Sequence, residues 1–217
     1  MSVLALPLFL VPKVGQFSAG MVLGGVVGMA IWVWDSPPNF IENWRMGRDG
    51  ERWTEKELKN LERDGWLVVH DRASGYYDTN FDHVVVGPGG VFLLDTKNRW
   101  GSFAIEDGVL SCHHESASQS DYSMPKLERQ MAGAAWGLER LLKERVGWIV
   151  DVSPVVVLWA GFDAREGTLG KVHVVHGDQL EGWLRTQPVR IAQADIVTIA
   201  ATVKSLPPAS PGQENTK

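Results

Sequence analysis

The sequence predicts an α/β fold in which a mixed central sheet is flanked by helices, and three observations predict it. The apolar patterns follow the order helix, three strands, helix, strand, strand, helices. The run from Val152 to Ala160 is almost continuously apolar and rich in β-branched residues, as a central strand covered on both faces should be. Of 217 residues, 44% are hydrophobic, enough for one domain of ordinary size with an appendage.

The appendage comes first. Val14 to Trp34 (VGQFSAGMVLGGVVGMAIWVW) contains no charged side chain. A helix crossing a bilayer needs about 20 mostly apolar residues, and Trp32 and Trp34 stand where interfacial aromatics belong. A secretory signal would begin with basic residues, and Met1 to Leu10 has none. A transmembrane helix is therefore expected over 14–34. Lys13 precedes it while Arg45, Arg48, Arg52 and Lys56 follow, which predicts a cytoplasmic soluble domain. Pro37 and Pro38 end the helix. The expected division is an N-terminal segment 1–13, the span 14–34, a linker 35–46, a domain 47–206 and a polar, proline-containing, disordered tail 207–217.

Within the domain, Glu51 to Arg63 has helix-forming composition with Leu58 and Leu61 at helical spacing, and Asp64-Gly65 stops it. Trp66 to His70 reads as a buried strand and Asp71 to Asn80 as a loop. Two apolar strands then flank Gly87-Pro88-Gly89-Gly90. A small hairpin around Asp107-Gly108 is expected at the periphery, with Cys112 to Glu115 leading into a solvated loop. Leu127, Met131, Ala134, Leu138, Leu141 and Leu142 make one apolar stripe on a helix over Pro125 to Arg145. Lys171 to Val175 gives a further strand, and Asp178 to Arg185 and Ala192 to Leu206 are helical.

Composition excludes several classes. A net charge of -5 gives no chain-wide grip on phosphates, so any nucleic-acid site must be local. One cysteine forms no internal disulfide and no structural zinc site. Cys112, His113, His114 and Glu115 are consecutive, and neighbours on a strand point to opposite faces. The glycine-rich turn lacks the Gly-Lys-Ser/Thr ending of a phosphate loop. Ten tryptophans suggest packing, while Asn98, Arg99 and Trp100 stand where they could touch a nucleic acid.

The chemistry concentrates in NFDHVVVGPGGVFLLDTK, Asn80 to Lys97. A four-residue loop over 87–90 with symmetric register pairs Val86 with Val91, Val84 with Leu93, and Asp82 with Asp95. Opposed residues share a face with Cβ atoms about 4.5–5.5 Å apart, and alternation puts Lys97 beside them. Like charges so placed repel, and a hard divalent ion between them relieves the repulsion. Mg²⁺ (or Mn²⁺) bound through one or two carboxylates and a substrate phosphate would suit phosphodiester hydrolysis, with Lys97 positioning or deprotonating a water or stabilising phosphate charge. The alternative is two strand-end acids in solvent, and a one-residue slip would separate them. Glu51 could bring a third carboxylate or be a helix-start acid favoured by the macrodipole. Gln130 borders the apolar stripe of its helix.

The runs GRDGE (Gly47 to Glu51) and DHVVVGPGGVFLLDTKN (Asp82 to Asn98), with a later glutamine-bearing helix, resemble the NERD, nuclease-related domain, family of the PD-(D/E)XK, restriction-endonuclease-like superfamily. The resemblance spans Gly47 to Val175. It implies an αβββαβ core, a Mg²⁺-dependent nuclease activity on DNA or RNA, and an active site at Glu51, Asp82, Asp95, Lys97 and Gln130, the metal held by Asp82, Asp95 and Glu51. Asp95 stands where many relatives carry glutamate. The rival expectation is an inactive module that binds DNA or a protein at the membrane.

Overall fold

The structure is a computed structural model that describes residues 18, 20–31, 39–74, 80–114 and 120–209. The chain divides into two units, Met1–Arg45 and Met46–Lys217. In the first, residues 20–31 are helical (α1), and Met21, Leu23 and Met29 are each about two-thirds exposed. No helix among the described residues is long and apolar enough to cross a membrane, so the structure gives no support to the span expected over 14–34. Residues 14–17, 19 and 32–34 of that stretch lie outside the described residues. Helix α2 (Asn39–Arg63) begins inside the expected linker, because nothing after Pro38 interrupts it.

The second unit carries the mixed sheet. Its strands are β1 (Leu67–Ala73), β2 (Asn80–Gly87), β3 (Gly90–Lys97), β7 (Val152–Leu158), β8 (Glu166–Leu169) and β9 (Val172–His176), in the order β1-β2-β3-β7-β9-β8. β1 to β3 form an antiparallel meander, whereas β3, β7 and β9 run parallel. Helix α3 (Leu127–Val146) makes the crossover from β3 to β7, so α2-β1-β2-β3-α3-β7 reproduces the expected core order. A second sheet, β4 (Ser102–Glu106), β5 (Val109–His113) and β6 (Tyr122–Ser123), is inserted between β3 and α3. Helices α4 (Leu180–Thr186) and α5 (Gln193–Lys204) follow β9.

Alternation in the central strands sorts the core into layers. Val84, Val86, Val91 and Leu93 pack against Leu138 and Leu142 of α3 and Ile199 and Val203 of α5. Val85, Phe92 and Leu94 face the other way, against Leu58 and Leu61 of α2 and Leu180 and Leu184 of α4. A third cluster joins Phe103, Leu110 and Cys112 of the inserted sheet to Leu127 and Met131 of α3 and Val156 and Leu158 of β7. The insert is thus structural rather than peripheral, and Cys112 is fully buried instead of lying in a solvated loop; Glu115 lies outside the described residues. The start of the expected tail is ordered against β1: Ala73 N donates to Pro207 O at 3.0 Å, and Ala209 N to Asp71 O at 2.9 Å. Residues 210–217 lie outside the described residues.

Candidate active site

β2 and β3 pair as Gly87 with Gly90, Val86 with Val91, Val84 with Leu93 and His83 with Leu94. The turn is two residues, Pro88-Gly89, shorter than the expected loop. Shortening a loop by one residue on each side leaves the register unchanged, so continuing the ladder one step past His83 sets Asp82 across from Asp95. Thr96 N donates to Asp82 Oδ2 at 3.4 Å, which ties the first acid to the strand of the second.

Asp82 and Asp95 line one cavity of about 70 Å³ together with Gln130, Leu127 and Met131. Leu127 and Met131 are buried, and they fix the first turn of α3 so that Gln130, between them on the helix, borders the acids. The cavity exceeds the ~10–15 Å³ that admits a single water. Asp95 is 5% exposed, and Lys97 Nζ lies 2.6 Å from its Oδ2. This ion pair holds the Lys97 side chain beside the acid pair.

Helix α2 docks on the opposite face of β3. Thr54 Oγ1 lies 3.0 Å from Thr96 Oγ1, and Trp159 Nε1 donates to Thr54 Oγ1 at 2.8 Å. Gly50 packs so close to β3 that a Cβ there would fall 2.7 Å from Asn98 Cβ. Glu51, next to Gly50, is half-buried and is not among the residues lining the acid cavity. The described residues contain no group of three or more His, Cys, Asp or Glu side chains set to hold a metal. Asp82, Asp95, Lys97 and Gln130 are therefore brought together, and Glu51 is placed on the helix behind their strand.

The sequence reading assigned His83 to the face opposite Asp82 but missed its partner. His70 and His83 are directly paired across β1 and β2, with their Nδ1 atoms 2.7 Å apart, so one ring donates to the other. Burial pushes His83 down to about 3; the neighbouring His70 adds to this and Asp95 opposes it. A neutral imidazole thus backs the acidic strand pair. The signal was the histidine ending WLVVH and the one opening HVVVG, which pair once β1 and β2 are aligned.

The donor set fits a hard divalent cation: two carboxylates on one cavity, with space for the waters that Mg²⁺ retains. The acid pair and the lysine thus sit on adjacent strands at the centre of a mixed sheet in an α/β domain. Residues 46–159, more than half of the chain, match the NERD, nuclease-related domain, family, and the chain belongs to that family. No curated protein and no solved structure gives a match.

Proposed function

We propose that the chain hydrolyses phosphodiester bonds in nucleic acid, DNA being the first candidate, with Asp82 and Asp95 holding Mg²⁺ or Mn²⁺. The observation that carries this reading is the meeting of Asp82, Asp95 and Gln130 on one cavity, with Lys97 paired to Asp95 at its edge. The ion would supply charge neutralisation for a bound phosphate and lower the pKa of a bound water. Lys97 places an ammonium where a phosphate oxygen gains charge, and Gln130 offers an amide donor from α3. Glu51 completes the ligand set only if α2 directs it around the end of β3.

The full chain in mild detergent should cut plasmid, single-stranded DNA or RNA with Mg²⁺ or Mn²⁺ and not with chelator. Asp95→Ala and Lys97→Ala should abolish cleavage; undiminished cutting by both would remove the site from consideration. A second reading, a module that binds nucleic acid or a protein without cutting, rests on the presence of only two carboxylates among the described residues that line the acid cavity. Titration calorimetry separates the two, since Mn²⁺ binding that is lost in Asp82→Ala belongs to the first. The exposed apolar residues Met21, Val22, Leu23, Val26 and Ile31 support a membrane-tethered arrangement, and the excess of Arg45, Arg48, Arg52 and Lys56 over Lys13 favours a cytoplasmic domain. Recovery of the chain in the soluble fraction without detergent would count against the tether.

A further inference from the structure

The segment that leaves β3 after Lys97 is tied to the fold by hydrogen bonds at Lys97, Asn98, Trp100 and Gly101. Lys97 O accepts from Trp159 N at 3.0 Å, and Asn98 Nδ2 donates to Met46 O at 2.9 Å. The Arg99 side chain lies near enough to the Tyr122 hydroxyl and the Cys112 thiol to oppose the upward shift that burial gives both. Trp100 O accepts from the buried Cys112 thiol at 3.5 Å, and Gly101 O accepts from Gly161 N at 3.3 Å. Gly101 has φ +106° and lies so close to β5 that a Cβ there would fall 2.2 Å from His113 O, so only glycine serves. On this fixed main chain one large side chain stands in solvent: the Trp100 indole is 62% exposed, more than Trp53, Trp136 or Trp148. It adds nothing to any of the three apolar clusters.

Its position relates to the acids. Leu127 and Met131 line the acid cavity and also belong to the cluster beneath β4–β6, against which Tyr122 packs. Arg99, close to Tyr122, is thus near the cluster that Leu127 and Met131 share with the acid cavity. Three residues reach at most about 11 Å, so the Trp100 backbone lies within ~3 nucleotides of stacked strand from Lys97.

We propose, resting on the nuclease reading, that Trp100 stacks an unpaired nucleobase beside the reacting phosphate while Arg99 contacts the strand's backbone, making the substrate single-stranded at this point. Both faces of a base inside a duplex are already covered by its neighbours, so an indole fixed on the protein surface selects bases that are splayed out. The fixed main chain pre-organises the platform, and no loop has to be ordered on binding.

The test is fluorescence anisotropy of the full chain in mild detergent and chelator, with a labelled single-stranded oligonucleotide, its duplex, and the same strand made abasic. Trp100→Ala should weaken binding of the single strand by about 5- to 150-fold, Trp100→Phe should retain most of the affinity, and duplex and abasic binding should hardly change. Matched thermal melting of the variants confirms intact folding at this exposed position. Equal single-strand affinity of wild type and Trp100→Ala, or equal loss on the abasic strand, overturns the stacking role. If wild type still cleaves in that case, the nuclease reading survives it. If wild type neither binds nor cuts any nucleic acid, the nuclease reading itself falls and takes the stacking role with it.

Discussion

Replacing Asp82 by asparagine should make the metal-free protein more stable and abolish its stabilisation by Mg²⁺. The register sets Asp82 opposite Asp95, and at a separation of about 5 Å and an effective dielectric constant near 20 two unit charges repel by about 3 kcal/mol. Lys97, 2.6 Å from Asp95, cancels most of that field, leaving a repulsion of about 1 kcal/mol. Asparagine keeps an oxygen for the Thr96 amide, so the hydrogen bond seen at 3.4 Å need not be lost. In chelator, Asp82→Asn should therefore gain about 1 kcal/mol. With Mg²⁺ at a hundred times its dissociation constant, wild type gains about 2.7 kcal/mol and the variant almost none, which reverses their order. Urea unfolding followed by circular dichroism, with chelator and with Mg²⁺, reads both changes. A variant that is less stable in chelator, together with equal Mg²⁺ responses, would refute the opposed-acid site.

Two further outcomes follow from the same face and its reverse. Lys97→Met leaves the Asp95 carboxylate, 5% exposed, without its cation, and should cost about 3–5 kcal/mol in a urea titration at neutral pH, as removal of one partner of a buried pair does. His83 is held at about 3 in the fold against the ordinary 6.5 of histidine, so between those pH values the unfolded chain binds a proton that the native one does not. Stability is then full above pH 6.5 and falls by about 1.4 kcal/mol per unit as pH drops toward 3. Denaturation midpoints of His83→Phe across pH 4 to 8 should show a correspondingly flatter acid limb, and an unchanged limb would assign the acid sensitivity elsewhere.

The elements that the sequence displayed most openly were those governed by local patterning. The stripe Leu127, Met131, Leu138, Leu142 has one period and one buried face, and α3 follows it closely. The β2–β3 register was legible from a symmetric loop over 87–90, although the two-residue turn was not, and with apolar residues on both faces of these strands alternation alone did not exclude a slip. A Cβ on Gly87 would fall 2.0 Å from the Trp66 ring, and that contact with the residue preceding β1 is invisible along the chain. β8 escaped notice because Glu166-Gly167-Thr168-Leu169 is a polar edge strand, recognisable only once β9 pairs with it. The pair Asp82 and Asp95 could be read from the hairpin. The approach of Gln130 to them depends on how a crossover helix lands, which no periodicity specifies. Which side of β3 receives α2 likewise depends on tertiary contacts, about which the helix-forming composition of Glu51 to Arg63 carried no information.

The interposed sheet β4–β6 has a bearing on how the two walls of the cavity behave. The acids are assembled by immediate neighbours along the chain, across one tight hairpin. The amide opposite them arrives only after the chain has built a separate three-stranded layer and returned. The two carboxylates and the amide that line this cavity are therefore held by parts of the chain that lie far apart in sequence, and a change within β4–β6 reaches the helix wall before the hairpin wall.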